Sequence, residues 1–256
     1  MSSVRRWRDL RAFTDARVGL GRVGNALPTA AHLDFQEAHA VARDAVFSAL
    51  DVPALLAALP GSVAVCSQAP DRRSYLLRPD LGRRLADAAP LAPHAGDWDL
   101  AFVIADGLCA TGVQRHAPEV LSRAVPRLRH AGQRVAPVVV ATQARVALGD
   151  PIGAALGARA VAVLIGERPG LSALDSMGIY LTWAPRPGRT DAERNCISNV
   201  RPHGLSYDDA AAKLLWLIQA MRALGATGVA LKDEMPAGAT LAGPAAAPAI
   251  HSAPGA

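Results

Sequence analysis

Five short apolar runs, at residues 63–67, 100–105, 135–141, 161–165 and 178–183, punctuate the middle of the chain. Each is shorter than an ordinary buried helix and rich enough in Val, Ile and Leu to be a strand. Two of them, containing VVVA and AVAVLI, are apolar without alternation. Such a strand needs cover on both faces, as in a parallel sheet flanked by helices. Helical stretches fall between runs, around 118–130 and, more briefly, 152–156. The alternation predicts an α/β fold, Rossmann-like and doubly wound, with a mostly parallel sheet over residues 61–235.

Two zones flank that domain. Residues 1–60 read as an N-terminal helical segment, two helices joined by the loop VGLGRVGNALPT. In the second of these, 34–50, Phe35, Ala38, Ala42, Ala45, Val46 and Ala49 recur at helical spacing, and Pro28 and Thr29 supply start chemistry. Residues 236–256 are rich in Pro, Ala and Gly without periodicity, which predicts a disordered tail. The best single helix is the last one. Ser206 can cap it, Asp208 and Asp209 suit its positive end, and Gly225 can close it.

Composition excludes several classes. No apolar run approaches the length of a membrane span, and MSSVRRWRDLRAF lacks the apolar core of a secretory signal. A net charge of +5 raises nucleic acid as a partner. The arginines are scattered, however, and aromatic residues make up only 4% of the chain, too few for a stacking platform. Neither membrane nor nucleic acid is therefore expected. Arg5, Arg6, Arg8 and Arg11 beside Trp7 are either a solvated helix face or a docking element for a protein partner. Cys66, Cys109 and Cys196 are odd in number and far apart, which suits a reducing cytoplasm.

Gly19, Gly21 and Gly24 spell the nominal dinucleotide fingerprint. That motif needs a strand before it and a helix opening at its third glycine. An arginine-rich, helix-like stretch precedes it here, so a turned connector is the better reading.

Ligands in open α/β sheets gather beyond the carboxyl ends of strands. The residues after each run are therefore the candidates: Asp106; Arg145 and Val146; Glu167 and Arg168; and Asp191, Asn195, Cys196 and Asn199 in the polar loop after the fifth run. Each has a plain alternative. Asp106 suits a turn, Glu167 with Arg168 an exposed ion pair, and a lone cysteine a small buried apolar group. No nucleophile–base pair, G-x-S-x-G or H-E-x-x-H accompanies them. The set looks built to bind something large and polar, not to react alone.

The stretches DARVGLGRVGN, LDFQEAHAVARDAV, RRSYLLRPDLGRRL, VIADGLCATGVQRHA, GVALKDE and the long LIGERPGLSALDSMGIYLTWAPRPGRTDAERNCISNVRPHGLSY resemble the small subunits of ethanolamine ammonia-lyases, over about residues 8–235. The resemblance implies an adenosylcobalamin-dependent lyase that converts ethanolamine to acetaldehyde and ammonia. A large barrel-shaped subunit would hold the substrate, and this chain would cover the other side of the cofactor in a hetero-oligomer, inactive by itself. The resemblance carries the family's cofactor contacts, by motif, onto Val146, Glu167 and Cys196. The implied location is the cytoplasm, with a bacterial microcompartment as a second place that relatives with a longer lead occupy. No histidine follows an aspartate by two residues, so a D-x-H-x-x-G lower ligand to cobalt is not expected from this chain. Two other readings stand beside this one: a stand-alone nucleotide-binding enzyme, and a structural adaptor subunit without cofactor contact.

Overall fold

The computed structural model describes residues 10–14 and 16–236. Strands and α-helices are numbered in chain order. The strands are β1 (Val63–Cys66), β2 (Ala101–Ala105), β3 (Val139–Thr142), β4 (Ala160–Gly166), β5 (Met177–Trp183) and β6 (Arg194–Val200). The helices are α1 (Thr29–Val46), α2 (Val52–Ala58), α3 (Arg72–Leu77), α4 (Ala110–His130), α5 (Gly149–Leu156) and α6 (Tyr207–Leu224).

The strands form one sheet in the order β1-β3-β2-β4-β5-β6. The first four are parallel, β5 runs antiparallel to β4, and β6 antiparallel to β5. The sheet is thus mixed, which corrects the mostly parallel, Rossmann-like expectation. The cause is local. A parallel return needs a crossover of a dozen or more residues, usually a helix. The connections 167–176 and 184–193 hold no α-helix and bring the chain straight back.

Two apolar layers fill the two sides of the sheet. On one side α2, α4 and α6 cover Phe102, Ile104, Leu164, Ile179 and Ile197. On the other, α5 and its flanking turns cover Val103, Val139, Val161 and Val163. Every residue of β4 is buried, as its unbroken apolar pattern requires. Helix α5 lies close on β4 because Gly149 has no side chain: a Cβ there would stand 2.4 Å from Val163 Cγ2. Helix α6 follows the sequence reading, with Ser206 Oγ accepting from Asp209 N at 3.1 Å and Gly225 closing it in the left-handed conformation.

The N-terminal part differs more. The described part of the stretch before the glycine loop holds only a 3-10 turn, Leu10–Ala12; Trp7 and the neighbouring arginines 5, 6 and 8 lie outside the described residues. Gly19, Gly21 and Gly24 all take positive φ, and among the described residues no strand precedes them, so the loop is a turned connector. In α1 only Ala42 is buried, while Leu33, Phe35 and Val41, with Phe47 just past its end, are exposed. The predicted tail falls outside the described residues apart from Pro236. Among the described residues no helix is long and apolar enough to cross a membrane.

Candidate functional site

The tips of β2 and β3 are stitched together by Asp106. Its buried carboxylate accepts from Gln143 N at 2.7 Å and Ala144 N at 2.8 Å. Burial pushes its pKa up, while these two amides and the Arg72 guanidinium, 3.6 Å away, oppose the rise. Asp106 therefore takes the turn role, and it presents the next residues of the chain. The Tyr75 ring lies between the guanidiniums of Arg72 and Arg145, 4.6 and 4.2 Å from its centroid, and donates its hydroxyl to Ala144 O. Desolvation raises the Tyr75 phenol to about 12, so it remains a neutral donor. With Arg145 donating to Tyr75 O at 3.1 Å, the turn Val146–Leu148 is anchored through the residue that caps it.

At the end of β4 the chain is pressed against the start of α4, where a Cβ on Gly166 would stand 2.0 Å from Cys109 O. Glu167 follows. Its carboxylate accepts from Ser176 Oγ at 2.6 Å and from Asn199 N at 3.2 and 3.3 Å, and its own N–H donates to Ser176 O. Arg168 is not its partner. The connection 167–176 is tied down at its far end as well. Cys109 Sγ donates to Leu174 O, and Arg115 pairs with Asp175. His116, wholly buried, sits 2.8 Å from the Tyr207 hydroxyl through Nδ1 and 3.7 Å from Asp175 through Nε2. Desolvation lowers the His116 pKa against the attraction of Asp175, so the ring favours its neutral form.

Cys196 is not in a loop, as the sequence reading placed it, but within β6, paired in register with Tyr180 of β5. Paired residues of adjacent strands share a face. Tyr180 packs on the same side of the sheet as Val146. Desolvation raises the Tyr180 phenol, and the Cys196 sulfur and the Glu167 carboxylate add to the rise. Cys196 is exposed as a residue, yet desolvation against the sheet raises its thiol; the Tyr180 hydroxyl opposes the shift and Glu167 reinforces it. Glu167, Tyr180 and Cys196 thus form one electrostatic group, and Val146 lies on the same face.

The helices packed on β5 and β6 are α4 and α6, which lie on the opposite side. The β5–β6 face that carries Tyr180 and Cys196 remains half-open. Its far end is closed by a buried ion pair: Arg194 donates to Asp150 at 2.8 and 2.6 Å and to Thr182 Oγ1 at 2.7 Å. Sequence reasoning missed Tyr180, Ser176 and Thr182. The alternation of Gly178, Tyr180 and Thr182 with Ile179 and Leu181 was the available signal. Among the described residues no group of His, Cys, Asp or Glu is arranged to hold a metal ion.

The family model for the ethanolamine ammonia-lyase light chain matches residues 4–232. The chain belongs to this family. Proteins named ethanolamine ammonia-lyase small subunit are similar to it nearly end to end. One from Xanthomonas campestris pv. campestris is 54% identical over 238 residues, covering 89% of this chain and 88% of its own. One from Bradyrhizobium diazoefficiens is 56% identical over 237 residues, covering 88% and 90%. A third, from Rhodococcus erythropolis, is 49% identical over 245 residues and covers 93% of each. Val146, Glu167 and Cys196, the three positions singled out in the sequence, lie together on one face of the sheet.

Proposed function

We propose that this chain is the small subunit of an adenosylcobalamin-dependent ethanolamine ammonia-lyase, a carbon–nitrogen lyase that converts ethanolamine to acetaldehyde and ammonia. The observation that carries the reading is the half-open β5–β6 face, where Glu167, Tyr180 and Cys196 gather on the same side as Val146. That face fits a corrinoid. It is broad, neutral in its middle, and has a carboxylate at one end able to accept from a rim of amides. Adenosylcobalamin would supply the radical chemistry; the protein's task is to bind, orient and shield it. Glu167, held by Ser176 and Asn199, accepts hydrogen bonds from amide groups at the corrin rim. Val146 and Cys196 give close, mainly apolar contact.

A large catalytic subunit would close the other side of the cofactor in a hetero-oligomer, with the chain inactive by itself and located in the cytoplasm. The apolar residues that α1 leaves exposed favour such a partner over a free monomer. The test is an absorbance titration of cobalamin into the reconstituted two-subunit complex. Glu167→Ala and Val146→Arg are each expected to weaken binding by about tenfold, the loss of one charge-assisted hydrogen bond or one close contact. Unchanged affinity in both would leave only a structural adaptor.

A further inference from the structure

Beside the candidate face lies a cleft of about 440 Å³, lined among others by Arg83, Arg84, Ala147, Asp150 and Arg189. Its lining acid, Asp150, and the acids around it are already engaged. Asp150 is held by Arg194 through both oxygens, and Glu193 pairs with Arg189. Asp80, near Arg84, is gripped by Arg78 at 2.9 and 2.8 Å. Among the described residues neither Arg83 nor Arg84 has a carboxylate within ion-pair distance, and both are exposed. The cleft is therefore positive, and two of its guanidiniums are free to grip an anion.

Its position is specific. Ala147, in its wall, follows Val146 directly, and Asp150 is bound to Arg194. Arg194 pairs with Thr182, two residues along from the Tyr180–Cys196 pair and on the same face. Glu167 lies at the other end, beside Gly178. From Gly178 to Thr182 the strand advances about 13 Å. The face thus has a negative end and a positive end, with a neutral middle.

Resting on the corrinoid reading above, we propose that the Arg83–Arg84–Arg189 cleft binds a phosphodiester, the one anionic group of cobalamin, carried in its nucleotide tail. Arginine is the side chain best matched to phosphate, through paired parallel N–H donors. The polarity fixes the cofactor's orientation: amide rim toward Glu167, nucleotide tail toward the arginines.

The test compares hydroxocobalamin with cobinamide, which lacks the nucleotide tail, by absorbance titration of the reconstituted complex. Replacing both exposed arginines (R83Q with R84Q) should weaken hydroxocobalamin by about tenfold or more and leave cobinamide unchanged. Unchanged cobinamide binding also shows that the variant folds and assembles. Inorganic phosphate should compete with hydroxocobalamin and not with cobinamide in the wild-type complex. Equal losses for both corrinoids, or none for either, overturn the cleft assignment while leaving that of Glu167 standing. Phosphate that binds without displacing hydroxocobalamin also overturns it, since the cleft would then serve free phosphate. If the wild-type complex binds neither corrinoid, the corrinoid reading itself falls, and the cleft assignment with it.

Discussion

Tyr180 and Cys196 face each other across β5 and β6, and the phenol beside the thiol lowers its pKa against the desolvation that raises it. Glu167 pushes the same thiol the opposite way. Two substitutions should therefore move Cys196 in opposite directions. In a Cys66→Ser background, since Cys66 is also exposed, Tyr180→Phe should shift the pH midpoint of Cys196 alkylation upward. Glu167→Gln should shift it downward. Rates of iodoacetamide labelling against pH read both, and shifts of the same sign would disprove the arrangement.

The Arg194–Asp150 pair is buried on both sides, each side chain only 2% exposed. Arg194→Met leaves an uncompensated carboxylate in the interior and should cost about 3–5 kcal/mol in urea unfolding. Adding Asp150→Leu should recover much of that loss, because removing both charges also removes the desolvation penalty. A double variant as unstable as the single one would mean that Arg194 acts through packing alone.

Two glycines with contrasting surroundings test how tightly Glu167 is placed. A Cβ at Gly166 would meet Cys109 O at 2.0 Å and Asp106 O at 2.6 Å, both backbone atoms that cannot swing aside. Gly166→Ala should cost about 3 kcal/mol or more and weaken cobalamin binding by displacing the next residue. Gly132 has a φ of +75° and nothing within 4 Å of its would-be Cβ. There alanine should cost only the left-handed backbone preference, about 1–2 kcal/mol.

His116 carries a pH signature. Its folded pKa lies below the ordinary 6.5 because burial disfavours the charged ring; Asp175 opposes this, while Arg115 and Arg201 reinforce it. Tyr207 faces the other ring nitrogen. The unfolded chain takes up the proton first. The stability associated with His116 is thus present above the unfolded value and lost as pH falls through the folded one. Urea midpoints at about pH 7.5 and about pH 5.5 should fall more in the wild type than in His116→Gln. An equal fall in both would show that the histidine is not the group responsible.

Much of this architecture was legible in the sequence, for reasons that also explain the exceptions. The unbroken run AVAVLI announced a strand covered on both sides, and Ser206 and Gly225 marked the ends of α6 through local chemistry. RNCISNV hid its strand character, because four of its residues are polar and its open face is turned away from the helices. Missing β6 made the sheet look mostly parallel and left Cys196 in a loop. The partners of Glu167 were out of reach as well. Ser176 and Asn199 are brought to it by the return of β5 and β6, and long-range register leaves no trace in local spacing. Phe35 fits the helical period of α1 and is nevertheless exposed, since periodicity marks a greasy stripe without saying what covers it.

In β5, Ile179 and Leu181 belong to the dry interior, while Gly178, Tyr180 and Thr182 look the other way. Cohesion and recognition are interleaved along a single strand, letter by letter. A lineage can therefore retailor the second set for a different guest and never loosen the first.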